Sequence, residues 1–168
     1  HAVGVGNGTD AIHLGLRAAG VGPGDEVIVP TLTSAFTALA VSMACATPVF
    51  ADVDPGRYTL DPAAFEAAIT PRTAAVIPVH LFGQSADMAP ILEVAKKHGL
   101  YVVEDNAQAI GADYTFPDGT QKKTGTIGDI GTTSFFPSKN LGCYGDGGAL
   151  MTNDDDLAAQ LRMIANHG

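Results

Sequence analysis

Lys139 is the residue of this chain whose surroundings best suit covalent chemistry. It lies in segment 134–142 (SFFPSKNLG), where a run of β-forming residues gives way to Pro137 and then to a glycine-rich run. The pattern predicts a short strand, 132–136, with the lysine in the loop beyond its C-terminal end. No carboxylate adjoins it in the sequence, and a partly buried lysine becomes a nucleophile toward carbonyl groups, including that of pyridoxal phosphate. A solvated loop lysine is the alternative interpretation.

Asp105 is the second candidate, because it directly follows the predicted strand 100–104. It precedes Lys139 by 34 residues, and both follow strands, so the two side chains can flank one ligand. In pyridoxal phosphate enzymes a buried carboxylate pairs with the pyridinium nitrogen and keeps the ring electron-withdrawing. An ordinary helix cap is the alternative role for an aspartate at this position.

Segment 4–10 (GVGNGTD) is a glycine-rich turn between a predicted strand and a predicted helix. Free backbone N–H groups and the helix dipole at such a turn can hold a phosphate. The dinucleotide fingerprint fails on spacing, because it needs glycine where the chain has Thr9, and no Walker motif is present. The glycines could also form only a tight turn.

His80 closes another predicted strand, in segment 78–84 (PVHLFGQ). It could line the site, but we interpret it as a structural histidine with satisfied hydrogen bonds. A metal cluster formed with Asp52, Asp54 and Asp105 is conceivable, although no known ligand spacing supports it.

The elements that must position these residues alternate between strand and helix. Near-continuous apolar runs separated by ten-residue helical patterns predict an α/β fold with a mostly parallel sheet buried on both faces, and segment 114–125 predicts a small polar hairpin. The predicted strands are 2–5, 26–29, 48–53, 74–79, 100–104, 131–136 and 149–152; the predicted helices are 10–19, 36–46, one capped by Asp61, 87–98 and 157–165.

Composition excludes several classes of partner. The 168 residues suit one domain, and the formal charge of −9 argues against nucleic acid or an anionic membrane as a partner. Cys45 and Cys143 have no paired spacing, and neither a long apolar run nor a basic leader is present, so we expect a cytoplasmic protein. The chain begins with His1 and stops in a helical pattern, which suggests a piece of a longer protein.

Seven motifs together resemble the DegT-type sugar aminotransferases, in the same order and over nearly the whole chain. The resemblance implies the type I pyridoxal phosphate fold, a three-layer sandwich, and transfer of an amino group from an amino acid such as glutamate to a keto group of a nucleotide-linked sugar. The motifs are GNGTDA (6–11), GDEVIVP (24–30), ATPVF (46–50), DP (61–62), PVHL (78–81), EDNAQA (104–109) and SFFPSKNLG (134–142).

The resemblance also assigns roles to single residues. It implies that Lys139 forms the Schiff base with pyridoxal 5′-phosphate in a ping-pong transamination, and that Asp105 pairs with the pyridine nitrogen. It also implies that Gln108 lies near the ring hydroxyl of the cofactor. The phosphate contacts are implied to come from Gly8, Thr9 and Ser134. A dehydratase branch of the family has His in place of the lysine, and Lys139 argues against that branch.

One position departs from the family pattern. After segment 30–33 the family places an aromatic residue that stacks on the cofactor, whereas this chain has Ser34, with Phe36 nearby. Phe36 could substitute for the missing aromatic residue, and the stacking partner is left open.

The family builds its sites at a homodimer interface, so the resemblance predicts a homodimer of the complete protein. It also predicts that residues 1–168 are the large cofactor-binding domain alone, without the N-terminal arm and the C-terminal small domain, and inactive by themselves. A non-catalytic sensor on the same fold and a nicotinamide-dependent Rossmann enzyme are the alternatives.

Overall fold

A computed structural model describes residues 1–167 and confirms the predicted α/β class. Nine strands and five α-helices are present among these residues, together with a short 3₁₀ turn at Leu81–Gly83. The strands are β1 Ala2–Val5, β2 Glu26–Pro30, β3 Thr47–Ala51, β4 Thr73–Val76, β5 Tyr101–Asp105, β6 Asp113–Thr115, β7 Gln121–Lys123, β8 Ile130–Ser134 and β9 Gly148–Met151; the helices are α1 Gly8–Ala18, α2 Ala35–Met43, α3 Pro62–Ala67, α4 Met88–His98 and α5 Asp155–Ile164.

Seven strands form one sheet in the order β1-β9-β8-β5-β4-β2-β3. All pairs are parallel except those of β9, which runs antiparallel to both β1 and β8. Because β9 is antiparallel to both of its neighbours, β1 runs parallel to β8. The carboxyl ends of β1, β5 and β8 therefore lie at one edge of the sheet. The remaining strands, β6 and β7, form the predicted hairpin outside the main sheet.

Helices cover both faces of this sheet and make three layers. The central strand β2 shows the arrangement, because Val27 and Val29 belong to one apolar cluster and Ile28 belongs to the other. Helices α1, α2 and α5 supply the first cluster, with Leu16 among its buried side chains, and α3 and α4 supply the second, with Phe65. The alternation follows from the two-residue period of a strand.

Three strands end two or more residues earlier than the sequence predicts. Strand β8 stops at Ser134 instead of Phe136, because its ladder with β9 ends at the pair Ser134–Gly148 and the chain then turns away. Strands β3 and β4 also stop short of Val53 and Val79, and these two valines form only isolated bridges. The predictions of strand ends at 53, 79 and 136 were therefore wrong.

Helix α2 also ends early, at Met43, where the sequence predicts a helix to residue 46. Cys45 adopts a left-handed backbone conformation with φ of 62°, which ends the helix although a glycine would fit there better. Among residues 1–167, no helix combines the length and the apolar character that crossing a bilayer requires.

Candidate active site

A cleft of about 630 Å³ opens at the carboxyl edge of the sheet, as expected for an open α/β fold. It contains five of the six residues to which the family resemblance assigns a contact with the cofactor, and Gln108 is the exception. The lining residues come from the α1 turn, α2, the end of β5, and β8 with its following loop: Asn7, Gly8, Thr9, Asp10, Ile12, Ser34, Phe36, Thr37, Leu39, Met43, Asp105, Ala107, Thr132, Thr133, Ser134, Phe136, Ser138, Lys139 and Asp146.

The N-terminus of α1 forms one wall of the cleft. Asn7 caps this helix, since its side-chain oxygen accepts a hydrogen bond from the N–H of Asp10 at 2.8 Å. Helix geometry leaves the first N–H groups without intrahelical acceptors, so those of Gly8 and Thr9 are available to an anion. A Cβ added to Gly8 would lie 2.7 Å from the Cβ of Ser134, so this close approach requires glycine.

Asp105 is buried at the end of β5 and faces the cleft with two hydrogen bonds. Its carboxylate accepts from the hydroxyl of Thr37 at 2.9 Å and from the N–H of Ala107 at 3.1 Å, and only 6% of the residue is exposed. None of the ion pairs formed within residues 1–167 involves it. A buried carboxylate with no cationic partner among the described residues suits a positively charged ligand.

Lys139 is half-buried in the turn that follows β8, and it is the single lysine that lines this cleft. It takes part in none of the ion pairs between described residues. The other four lysines, Lys96, Lys97, Lys122 and Lys123, are exposed. The structure thus brings the amine of Lys139 and the carboxylate of Asp105 to the same cavity, as the spacing of their strands predicts.

Gln108 lies outside the set of residues that line the cleft. Its side-chain oxygen accepts a hydrogen bond from the backbone N–H of Phe82 at 2.8 Å, which leaves the amide NH₂ group to donate elsewhere. Phe82 has a left-handed backbone with φ of 56°. A contact of Gln108 with a ring hydroxyl stays a prediction.

His80 is fully buried and bonded to Glu104, with 2.8 Å between Nε2 and the carboxylate. Burial raises the pKa of Glu104, but hydrogen bonds from His80 and from the N–H groups of Gly128 and Gly125 outweigh it, so this pKa lies below its ordinary value. His80 is therefore a satisfied core residue, in agreement with the structural interpretation. Within residues 1–167, no three His, Cys, Asp or Glu side chains are arranged to hold a metal ion.

Ser34 and Phe36 both line the cleft, so either can contact a ligand there. Ser34 is the N-cap of α2, and the ring of Phe36 is turned outward with 61% of the residue exposed. Phe36 continues into an exposed apolar stripe one and two helical turns further on, at Leu39 and Met43. Which residue stacks on a ligand stays open.

Sequence reasoning missed Thr37. This residue is buried, donates to Asp105, and contacts the hydroxyl of Thr33 at 3.0 Å. Thr33 lies before Ser34, the N-cap of α2, so no helical spacing in the sequence indicated this pair. The acceptor of the Thr37 hydroxyl, Asp105, lies 68 residues away and is brought close only by the fold.

A second concavity of about 510 Å³ lies at the opposite edge of the sheet, beside the start of β5 and of α5. Its lining includes Asp129, Asp154 and Asp156, and none of the predicted site residues.

Comparisons with known proteins identify relatives that match the whole chain. The model of the DegT/DnrJ/EryC1/StrS aminotransferase family matches residues 1–168. The chain is 56% identical, over all of its length, to a UDP-N-acetyl-3-dehydro-alpha-D-glucosamine 3-aminotransferase of Acidithiobacillus ferrooxidans, and equally to a "pleiotropic regulatory protein" of Geobacillus stearothermophilus. A crystal structure of Streptomyces venezuelae DesV, in complex with a ketimine intermediate, superposes with a TM-score of 0.94 at 53% identity over the whole chain.

The chain spans less than half of each of these proteins, namely 44% of the two relatives and 44% of the DesV chain. The present chain is matched over its whole length, so the unmatched residues in each comparison are residues of the relative.

Proposed function

The chain belongs to the DegT/DnrJ/EryC1/StrS aminotransferase family, and on that premise we propose that its protein is a sugar aminotransferase that depends on pyridoxal 5′-phosphate. The amino group would pass from an amino acid, with glutamate as the expected donor, to a keto group of a nucleotide-linked sugar. One observation carries the proposal: a single cleft combines the free amine of Lys139, the buried carboxylate of Asp105 and the open N-terminus of α1.

The residues present fit the cofactor group by group. Its phosphate matches the N–H groups of Gly8 and Thr9, with the hydroxyl of Ser134 alongside, where a Cβ on Gly8 would fill the space. Its protonated ring nitrogen matches Asp105, whose carboxylate is buried and pairs with no cation from residues 1–167. Its aldehyde matches Lys139, the lysine of the cleft.

Each residue then has a definite task. Bound pyridoxal phosphate supplies the electron sink that lets a proton leave the carbon next to the amine. Asp105 would hold a positive charge on the ring nitrogen, and the hydrogen bonds from Thr37 and Ala107 orient its carboxylate. The Nζ atom of Lys139 would hold the cofactor, and its amine would be the group in the cleft that can accept and return a proton. Lysine at this position favours amino transfer over dehydration.

Partners of the complete protein are also proposals. We propose a cytoplasmic homodimer, and the exposed stripe of Phe36, Leu39 and Met43 supports association, because apolar residues on one helix face beside a site favour a protein contact. With less than half of the relatives' length in this chain, residues 1–168 alone are expected to bind the cofactor weakly and to transfer no amino group.

The test is to load the complete protein with pyridoxal phosphate, reduce it with borohydride, and map the labelled peptide. We expect the label on Lys139, and transfer from glutamate to a nucleotide-linked keto sugar. Lys139→Ala should lose both, whereas Lys122→Ala, which alters an exposed lysine outside the cleft, should keep both. A label on Lys122 or Lys123 would refute the assignment.

The non-catalytic alternative makes a different prediction for the same preparation. A sensor on this fold would bind pyridoxal phosphate at Lys139 and still show no transfer with any donor and keto sugar. Spectra and turnover measured together therefore separate the two functions.

A further inference from the structure

Glu104 is the most heavily hydrogen-bonded side chain next to the cleft, although it does not face the cleft. It precedes Asp105 on β5, so the two side chains point to opposite faces of the sheet. The carboxylate of Glu104 is fully buried and accepts four hydrogen bonds: from Nε2 of His80 at 2.8 Å, and from the N–H groups of Gly125 at 2.8 Å, Ile127 at 2.7 Å and Gly128 at 2.7 Å.

The protonation of His80 follows from its two partners. The backbone N–H of Ala86 donates to Nδ1 at 3.1 Å, so Nδ1 is the ring nitrogen without a proton. Nε2 therefore carries the hydrogen and donates it to Glu104. The pair consists of a neutral imidazole and a charged carboxylate. Both ring nitrogens of His80 and both carboxylate oxygens of Glu104 are hydrogen-bonded.

The hydrogen bonds of His80 and Glu104 connect to both β5, which ends at Asp105, and β8, which ends at Ser134. The backbone N–H of His80 donates to the carbonyl of Asp105 at 3.0 Å, and the N–H of Asp105 donates to Pro78 at 2.9 Å. The three backbone donors to Glu104 belong to segment 125–128, which leads into β8. In the register of β8 against β5, Thr132 lies opposite Asp105, two residues before Ser134.

We propose that His80 and Glu104 are positioning residues that hold Asp105 at a fixed depth relative to Ser134 and Lys139. The inference rests on the proposed function. A buried carboxylate is strongly destabilised when it loses a donor, so the backbone around His80, Asp105 and segment 125–128 must move as one unit. We call this unit of His80 and Glu104 the clamp. An error of about 1 Å in a group that faces the reacting atoms costs on the order of 100-fold in rate, so the clamp would protect the rate by fixing the position of Asp105.

Two substitutions of His80 separate its two hydrogen bonds. His80→Gln can place an amide nitrogen near the position of Nε2 and keep the donor to Glu104. His80→Asn is too short to reach Glu104 but can accept from Ala86. If the clamp positions Asp105, the Asn variant should disturb the site and the Gln variant should largely restore it.

The first readout is the visible spectrum of the complete protein loaded with pyridoxal phosphate, followed as a function of pH. We expect the pH midpoint of the absorbance change to move by about one unit in His80→Asn, because Asp105 no longer holds the ring nitrogen at its usual distance. In His80→Gln the midpoint should stay near that of the wild type.

The second readout needs no cofactor and is amide hydrogen exchange of the unloaded protein. In His80→Asn, the amides of Asp105 and of segment 125–128 should exchange about tenfold faster, while amides of α5 stay unchanged. If this variant does not fold, Glu104→Gln, which keeps the side-chain volume, replaces it with the same two readouts.

Ile91→Ala is the matched control, because Ile91 is fully buried on α4 in the same layer as Glu104 and contributes only packing. It should lower stability and leave the spectral midpoint in place. A His80→Asn protein whose midpoint and local exchange match those of the wild type, or merely those of Ile91→Ala, would overturn the positioning role. A wild-type protein that binds no pyridoxal phosphate would instead overturn the proposed function, and the exchange data would still decide on the clamp.

Discussion

Glu104 and Asp105 are adjacent carboxylates on one strand, both buried, and they are treated in opposite ways. Glu104 has four donors from the chain, and Asp105 has two. Glu104 is compensated by the fold itself, whereas Asp105 is left with a charge that the described residues do not neutralise. The first arrangement is typical of a structural group, and the second is typical of a group that waits for a ligand.

The largest expected effect is on turnover at Asp105. Asp105→Asn removes the charge that should hold the ring nitrogen protonated, so we expect kcat/KM of the complete protein to fall about 100-fold or more, equivalent to about 3 kcal/mol. The stability of the unloaded protein should stay the same or rise by about 1 kcal/mol, because an uncompensated buried charge disappears. Steady-state kinetics and denaturant unfolding test both halves, and near-native kinetics would reduce Asp105 to a helix cap.

Glu104 should respond in the opposite sense in unfolding. Glu104→Gln gives an amide group in place of an oxygen that accepts from backbone N–H groups, so donors are left unpaired and the free energy of unfolding should fall by about 3 kcal/mol. Urea unfolding of the unloaded protein measures this change. Glu93→Gln, at an exposed position of α4, is the control and should change stability by less than about 0.5 kcal/mol. Equal losses in the two variants would contradict the comparison.

The same pair predicts how stability depends on pH. Since the pKa of Glu104 is lower in the folded protein than its ordinary value of 4.5, its contribution is fully present above that value and is lost as the pH falls through the folded pKa. The difference in unfolding free energy between the wild type and Glu104→Gln should therefore be constant near neutral pH and shrink below about pH 4.5. A difference that grows in acid would contradict the lowered pKa.

A smaller effect is expected from the hydroxyl that supports Asp105. Thr37→Val keeps the shape but removes one of two donors, so kcat should fall about tenfold, equivalent to about 1.4 kcal/mol. Thr33→Val is the matched control, because Thr33 contacts the hydroxyl of Thr37 and makes no hydrogen bond to Asp105. Kinetics of the two variants should differ clearly. Equal kinetics would show that Thr37 does not orient the carboxylate.

The smallest effect lies outside both carboxylates. Cys45 has a φ of 62° at the end of α2, where glycine is favoured, so Cys45→Gly should stabilise the protein by about 0.5–1 kcal/mol. Thermal unfolding measures the gain, and Cys45→Ala, which keeps the backbone strain, should not share it. A change in the cofactor spectrum of Cys45→Gly would contradict the separation between this helix end and the site.

Much of the fold could be predicted because it depends on local patterns. The run from Glu26 to Val29 is apolar enough to indicate a buried strand, and Asp61-Pro62 marks a helix start that the structure confirms at Pro62. The ends of elements were less predictable. Whether β8 continues past Ser134 depends on where β9 leaves it, and that partner lies 14 residues further along the chain.

Part of the candidate site followed from the same logic. The carboxyl ends of parallel strands meet at one edge, so Asp105 and Lys139 were expected in one cavity, and the structure places both there. Gln108 was predicted beside them from a family motif alone, and it lies outside the lining, bonded to Phe82. Its partner Phe82 has a left-handed backbone conformation, which no pattern of residues in the sequence predicted.

By itself, the sequence determined the α/β class, the order of strands and helices, and the polar residues that follow each strand, because these depend on hydrophobic period, turn residues and chain direction. Only the tertiary structure decided which of two neighbouring carboxylates is compensated. The donors to Glu104 come from His80 and from segment 125–128, which lie 21 or more residues away, and the side-chain donor to Asp105 is Thr37, 68 residues away. Contacts over such separations depend on how the strands align in the sheet, and no local pattern of residues specifies that alignment.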